Sequence, residues 1–286
     1  MSAERSLLDP DFLRRLARLR LLVRRRFAGA SGSRRSTRKG QSVEFADHRP
    51  YYPGDDIRRI DWNAYARLEE LVLRLYVAEE DVTVTLLLDT SKSMEAKFET
   101  AKRIAAALAY VGLSGSERVG VAPFADQLNA PLAPTRGKGR IGRVLRYLDE
   151  LTVSGETDLG RSIDSFLARR PRPGLVIVLS DLLLPTGFQR PLDRLIAHKH
   201  EPVIFQILAR EELSPPAGGD FTFVDSERGT KVEVSLDERA LRAYRARLAM
   251  FLEEVETYAR RRGLSYVRAG GDVPFEDALM SYLRSA

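Results

Sequence analysis

Four short apolar runs recur along the chain: Val82–Leu88, Arg118–Phe124, Leu175–Leu179 and Val203–Leu208. Each is rich in Val, Ile and Leu and bounded by polar or turn residues, the pattern of strands buried on both faces. Between them the spacing of apolar residues changes to three and four. Met94–Gly112 places Ile104, Leu108 and Val111 on one side of a helix. Ile141–Glu150, Thr157–Arg169 and Phe188–His198 follow the same period. Asp126-Gln127 predicts a turn into a short antiparallel edge strand over Leu128–Leu132. Phe221–Val224 and Lys231–Val234 predict a hairpin. A long helix is expected over Asp237–Arg262, with Tyr244, Leu248, Phe251, Val255 and Tyr258 as its apolar stripe. A strand over Leu264–Val267 and a helix from Pro274 to about Leu283 complete the pattern. Strands alternating with helices predict an α/β fold, with a mostly parallel, doubly wound sheet and helices on both faces.

Three regions follow from these patterns. Residues 1–40 read as a basic N-terminal helix and linker, 41–78 as a distinct segment that packs on the body, and 79–286 as the α/β body. Asp9-Pro10 is an N-cap followed by proline at the first helical position. The helix then runs to Phe27, with Phe12, Leu16, Leu19, Val23 and Phe27 along one face and arginines around the rest. Such a helix either packs on its own domain or meets an acidic partner or a membrane surface. Ala28–Gln41, rich in Gly, Ser and Arg, reads as a linker. In Glu44–Arg67, acidic, basic and aromatic residues alternate around a Pro53-Gly54-Asp55 turn, and the single Trp, Trp62, lies here. This segment has too little apolar sequence for a core of its own. It is expected to be held by Arg–carboxylate pairs and aromatic packing, either as a clasp on the body or as a partner surface. Leu71–Tyr76 reads as an edge strand, and His48 as a hydrogen-bonding residue.

Composition narrows the class. With 286 residues, 44% hydrophobic and 30% charged, the chain has the make-up of a globular protein. It has no cysteine, which removes disulfide and thiolate chemistry. No apolar run approaches a membrane span, and the arginine-laced start is unlike a signal peptide, so a cytoplasmic location is expected. Net charge is +6, but residues 1–40 alone hold twelve Lys/Arg against three Asp/Glu. The basic arm lacks interleaved aromatics, and no zinc-finger or RNA-recognition motif occurs, so specific nucleic-acid binding is not expected.

Asp89-Thr90-Ser91-Lys92-Ser93 stands where the first core strand gives way to a helix. Ligands of open α/β sheets gather at that edge. One carboxylate and two hydroxyls from one loop are hard oxygen donors, suited to Mg²⁺, Mn²⁺ or Ca²⁺ rather than to a cysteine- or histidine-rich zinc site. The pentapeptide is also readable as ordinary helix capping. Arg136-Gly137-Lys138-Gly139-Arg140 lacks phosphate-loop spacing and reads as the basic flank of a helix. His198 and His200 read as surface residues remote from the site.

Asp89, Ser91 and Ser93, then Thr157 in Gly155-Glu156-Thr157-Asp158, then Asp181 closing Leu175–Leu179, resemble the metal-ion-dependent adhesion site of von Willebrand factor A domains in type and order. Glu44–Arg67 closely resembles the signature of the bacterial DUF58 family (domain of unknown function 58), and the resemblance covers nearly the whole chain. It implies a Rossmann-like von Willebrand factor A-type fold, and a likeness to the shorter members that lack transmembrane helices. It further implies that Ser91 and Ser93 bind a divalent cation, most readily Mg²⁺, with Mn²⁺ or Ca²⁺ open. Thr157 would bind directly or through water, and Asp89 and Asp181 through waters. One coordination position is left for an acidic side chain of a partner. Genes of the family commonly neighbour those of MoxR-type AAA+ ATPases, which makes such an ATPase or its client the expected partner. A cation-dependent adaptor or scaffold, not an enzyme, is therefore expected. Metal-assisted hydrolysis at the open position, or a structural domain with a vestigial site, are the alternatives.

Overall fold

The computed structural model describes residues 6–27, 45–76, 82–215, 220–224, 231–235, 238–270 and 274–285. The chain divides into two compact units, residues 1–23 with 82–286 and residues 24–81.

The first helix, α1 (Pro10–Phe27), begins as the Asp9-Pro10 pair predicts, with the Asp9 carbonyl accepting from Leu13 N at 3.0 Å. Leu7, Phe12 and Leu16 are buried in the same core as the central sheet. Phe12 lies against Phe275 with ring centres 5.4 Å apart, and Ser6 Oγ donates to Asp149 Oδ2 at 2.6 Å. The start of the chain is thus part of the body rather than of an arm ending at residue 40. The side chains of Leu19, Val23 and Phe27, and the linker 28–41, lie outside the described residues.

The unit 24–81 holds β1 (Phe45–Pro50), α2 (Trp62–Leu68) and β2 (Val72–Tyr76). Strand β2, expected as an edge strand, pairs antiparallel with β1 in a two-stranded sheet of its own, with Arg49 opposite Leu73. Arg49 makes a two-pronged pair with Asp55, Nη1 to Oδ2 at 2.7 Å and Nη2 to Oδ1 at 2.6 Å. This fastens the turn in which Gly54 takes a φ of 105°. Asp61 caps α2 by accepting from Asn63 N and Ala64 N, and its other oxygen meets His48 Nε2 at 2.9 Å, the hydrogen bond expected of that histidine. Trp62 stacks edge-on to Tyr65 and is 59% exposed, with Tyr52, Ile57 and Leu68 also exposed.

In the body, β3 (Thr83–Asp89) is buried at every position. A 3₁₀ turn, Lys92–Lys97, leads into α3 (Phe98–Ser114). Next come β4 (Arg118–Phe124), β5 (Leu132–Arg136), α4 (Ile141–Asp149), α5 (Leu159–Ala168), β6 (Leu175–Ser180), α6 (Gln189–Ala197), β7 (Glu201–Leu208) and the one-turn α7 (Arg210–Leu213). The strands β8 (Asp220–Val224) and β9 (Lys231–Ser235) pair as the predicted hairpin. The long α8 (Glu238–Arg262), β10 (Ser265–Gly270) and α9 (Phe275–Ser285) follow.

Six strands form one sheet in the order β10-β7-β6-β3-β4-β5, all parallel except the antiparallel β4–β5 edge. The antiparallel strand lies later than expected, at Leu132–Arg136; Leu128 makes only an isolated bridge to Phe124. Val84, Leu86 and Leu88 face a core with α1, α3, α4 and α9, whereas Leu87, Val176 and Val178 face one with α5, α6 and α8. This is the two-faced α/β layering that the sequence pattern predicts. Helix α8 corrects one detail. Val255 and Ala259 are buried, but Tyr244 is exposed and Leu248 only half-buried. At 25 residues α8 spans about 37 Å, longer than the roughly 26 Å of an eight-residue strand such as β7; Leu241 in its first turn is buried, and residues 242–250 are exposed apart from the half-buried Leu248. His200 corrects another. It is buried against the Phe166 ring, 5.6 Å between centres, and burial lowers its pKa.

Because Leu16 is fully buried, Leu16→Ala should lower stability by about 2–4 kcal/mol. The exposed Arg14→Ala should change it by less than about 0.5 kcal/mol. Urea unfolding of the two variants checks whether α1 belongs to the body.

Candidate metal centre

Strands β3 and β6 are neighbours, but the chain leaves β3 for β4 on one side and only later returns to β6 on the other. Loops at such a switch point diverge and open a crevice at the carboxyl ends of the strands. Asp89 is the last residue of β3, and Ser180-Asp181 ends β6. The sheet therefore brings the two carboxylates side by side. The third expected element arrives through the backbone. Ser154 N donates to Thr90 O at 2.7 Å, Lys92 N to Gly155 O at 3.1 Å and Asp158 N to Ala125 O at 2.9 Å. These bonds tie the loop carrying Thr157 to the loops after β3 and β4.

Asp89 is fully buried. Its Oδ1 accepts from Ser91 N at 2.9 Å and its Oδ2 from Ser180 Oγ at 2.6 Å. Burial, and then the charge of Asp181, push its pKa up to about 7, with the Ser180 and Ser91 bonds pulling the other way. Ser91 stands at the N-cap position of the 3₁₀ turn, yet its side chain caps nothing. Its Oγ lies 2.9 Å from Ser93 Oγ instead. Ser91 thus does not cap this turn through its side chain. Thr90 pins the loop to β4, with both its N and its Oγ1 donating to Phe124 O, at 2.7 and 2.9 Å.

Asp181 is also buried. The next residue, Leu182, has a φ of 61°, a conformation costly for a branched side chain and held here by burial among apolar neighbours. It turns Leu183 N toward Asp181 Oδ1, at 3.0 Å. Gln206 on β7 donates to the Asp181 carbonyl at 3.1 Å and accepts from Tyr266 Oη at 2.7 Å. The remaining oxygen, Oδ2, forms an ion pair with Lys97 Nζ at 2.7 Å. Lys97 Nζ also meets Glu212 Oε1 at 2.5 Å, and the Lys97 side chain is 2% exposed. Burial pulls the Lys97 pKa down, but the two carboxylates outweigh it and hold the value above the ordinary one.

Sequence reasoning named Asp89, Ser91, Ser93, Thr157 and Asp181, and it missed Ser180, Lys97, Gln206 and Glu212. Ser180 adjoins Asp181, so its place was legible. Lys97 lies in a segment whose periodicity says only helix, and Glu212 lies more than a hundred residues further on; no spacing rule joins them.

The donor set suits a hard cation. The Ser91 and Ser93 hydroxyls, hydrogen-bonded to each other at 2.9 Å, are adjacent hard oxygen donors. Among the described residues no group of three or more His, Cys, Asp or Glu side chains could hold a metal. The candidate thus rests on hydroxyls backed by two carboxylates. A cavity of about 480 Å³ over Thr83, Thr85, Gly120 and Ala122 lies toward the other end of the same strands and has no part in this centre. No helix among the described residues is long and apolar enough to cross a membrane.

Comparison with known proteins adds the lineage. An uncharacterized protein of Mycobacterium tuberculosis is 29% identical over 258 residues, covering 84% of this chain and 81% of its own. Among solved structures, the conserved hypothetical protein BatB of Bacteroides thetaiotaomicron is 19% identical with a TM-score of 0.46, over 72% of this chain and 100% of that one. The mussel byssus proximal thread matrix protein 1, in a structure titled as having a zinc-occupied MIDAS motif, is 18% identical with a TM-score of 0.35, over 44% of this chain and 38% of that one. At these scores the two structural likenesses say nothing about the site. The family model described as Protein of unknown function DUF58 matches residues 47–254, most of the chain, and the protein belongs to that family.

Proposed function

We propose that this protein is a divalent-cation-dependent binding adaptor whose von Willebrand factor A-type body offers the Ser91–Ser93 edge to an acidic side chain of a partner. The observation that carries this reading is the pair of serine oxygens 2.9 Å apart in front of the buried Asp89. Two carboxylates in one low-dielectric crevice repel each other, and added positive charge relieves them. Ser91, Ser93 and Thr157 would hold the ion, with Asp89 and Asp181 behind them. When bound, such an ion supplies a Lewis-acidic position that a Glu or Asp can fill.

The local bonding favours binding over bond cleavage. Both oxygens of Asp89 already accept hydrogen bonds, and Asp181 is engaged by Leu183 N and Lys97. Carboxylates engaged in this way support a binding role over a general-base role at the serine edge. The proposed partner is a MoxR-type AAA+ ATPase or its client, by family analogy, and the proposed location is the cytoplasm. Mg²⁺ is the proposed ion, because hydroxyl and carboxylate oxygens are hard donors, with Mn²⁺ or Ca²⁺ as alternatives.

Titration with Mg²⁺ or Mn²⁺ by calorimetry should give saturable binding, weakened at least tenfold in Asp89→Asn and in the double variant Ser91→Ala/Ser93→Ala. Capture of a MoxR-type ATPase or its client by the wild-type protein should be lost in excess chelator while the fold persists by circular dichroism. Undiminished capture in chelator would overturn the cation-bridge reading.

A second outcome follows from Asp89 itself. In chelator its folded pKa stands at about 7 against an ordinary 3.8, so between these values the folded state binds more protons than the unfolded. Stability from this group should therefore fall as pH rises from about 4 to 7. Asp89→Asn should flatten the curve in that window by up to roughly 4 kcal/mol, as read by urea unfolding at each pH.

A further inference from the structure

The three-way contact of Lys97, Asp181 and Glu212 has no counterpart in the binding scheme above. Lys97 closes the 3₁₀ turn Lys92–Lys97, which contains Ser93 and has Ser91 at its N-cap position. Its ammonium is enclosed between Asp181 Oδ2 at 2.7 Å and Glu212 Oε1 at 2.5 Å. A buried lysine without anionic partners would be driven to lose its charge; with two carboxylates against it, it stays a cation. Glu212 is itself anchored. Its Oε2 accepts from Ala209 N at 2.6 Å, and its carbonyl accepts from Tyr244 Oη, on α8, at 2.7 Å.

Asp181 has one oxygen committed to Leu183 N and the other to Lys97. For Asp181 to turn toward an ion at the serine edge, directly or through a water, it must share or release the ammonium. Lys97 would also repel that ion. Glu212 acts in the opposite sense, because it offsets the ammonium and gives it somewhere else to go.

We propose that Lys97 competes with a divalent ion for Asp181, while Glu212 sets the balance by drawing Lys97 away. The inference rests on reading the Ser91–Ser93 edge as a cation site and adds the device that regulates its loading. It makes Lys97 and Glu212 positioning residues with opposite signs. A purely structural ion pair would give the same sign for both, since breaking it from either side loosens the same contact.

The experiment is Mn²⁺ titration of the full chain, followed by electron paramagnetic resonance of the free ion. The proteins are wild type, Lys97→Met, Glu212→Gln, the double variant, Lys102→Met and Asp89→Asn. Lys102, a nearby buried lysine paired with Glu99, serves as a charge control away from Asp181. Lys97→Met should bind Mn²⁺ on the order of tenfold more tightly than wild type, and Glu212→Gln several-fold more weakly. The double variant should bind close to Lys97→Met, since Glu212 has no ammonium left to draw, and Lys102→Met should change affinity less than about twofold. In chelator, Lys97→Met should melt below wild type, because two carboxylates lose their counter-charge, and Mn²⁺ should raise its melting temperature more than that of wild type. If Lys97→Met does not fold, Glu212→Gln, altered at a partly exposed side chain, carries the test alone: unchanged or tighter Mn²⁺ binding overturns the proposal. Weaker binding in both single variants also overturns it. If wild type, Lys97→Met and Asp89→Asn all fail to bind Mn²⁺, the cation-site reading fails and this inference with it. Binding by wild type, loss in Asp89→Asn and no gain in Lys97→Met overturns the inference alone.

Discussion

Two carboxylates ending neighbouring strands of one parallel sheet, both out of contact with solvent, are the constraint to which the rest of this site answers. A buried carboxylate is costly unless its charge is offset or its oxygens are hydrogen-bonded. The chain meets the cost differently at the two positions. Asp89 is served by hydrogen bonds from Ser91 N and Ser180 Oγ and is shifted toward its neutral form. Asp181 is served by one backbone N–H and one ammonium. Like charges in one crevice commonly separate into unlike roles, as here, where one group can shed its charge and the other keeps a counter-ion.

Sheet topology makes that juxtaposition possible. Were β6 to follow β4 on the same side, Asp89 and Asp181 would be separated by a strand. Because β6 returns to the other flank of β3, the two strand ends share the switch-point crevice. The hydrogen bonds of Thr90, Ser154 and Asp158 then draw the loops after β3 and β4 and the loop before α5 into one rim. The strained turn at Leu182 belongs to the same device, since it aims Leu183 N at Asp181 and is held by the core beneath it.

The unit 24–81 solves a different problem with the same means. A segment poor in apolar residues is ordered by charge and by backbone pairing: Arg49 with Asp55, His48 with Asp61, and β1 with β2. Its aromatic residues largely remain on the surface, Trp62 among them.

Much of this was legible in the residues. The apolar runs Val82–Leu88 and Leu175–Leu179 announce buried parallel strands because only a sheet covered on both faces tolerates such continuous hydrophobicity. Asp89, Ser91, Ser93 and Asp181 stand at the ends of those strands, but their place alone also reads as helix capping, and only the family resemblance joined them into one candidate site. The limits have physical causes. Periodicity reports which face of an element is apolar but not how far its neighbours extend, so the exposure of Tyr244 on α8 and the burial of His200 were not visible. Sequence order does not say that residues 1–23 pack with the body, because that depends on Phe12 meeting Phe275 across the whole length of the chain. Nor does any local pattern join Lys97 to Glu212. Their pairing exists only because β7 and α7 return beside the start of α3, and the tertiary structure alone decides which charge stands against Asp181.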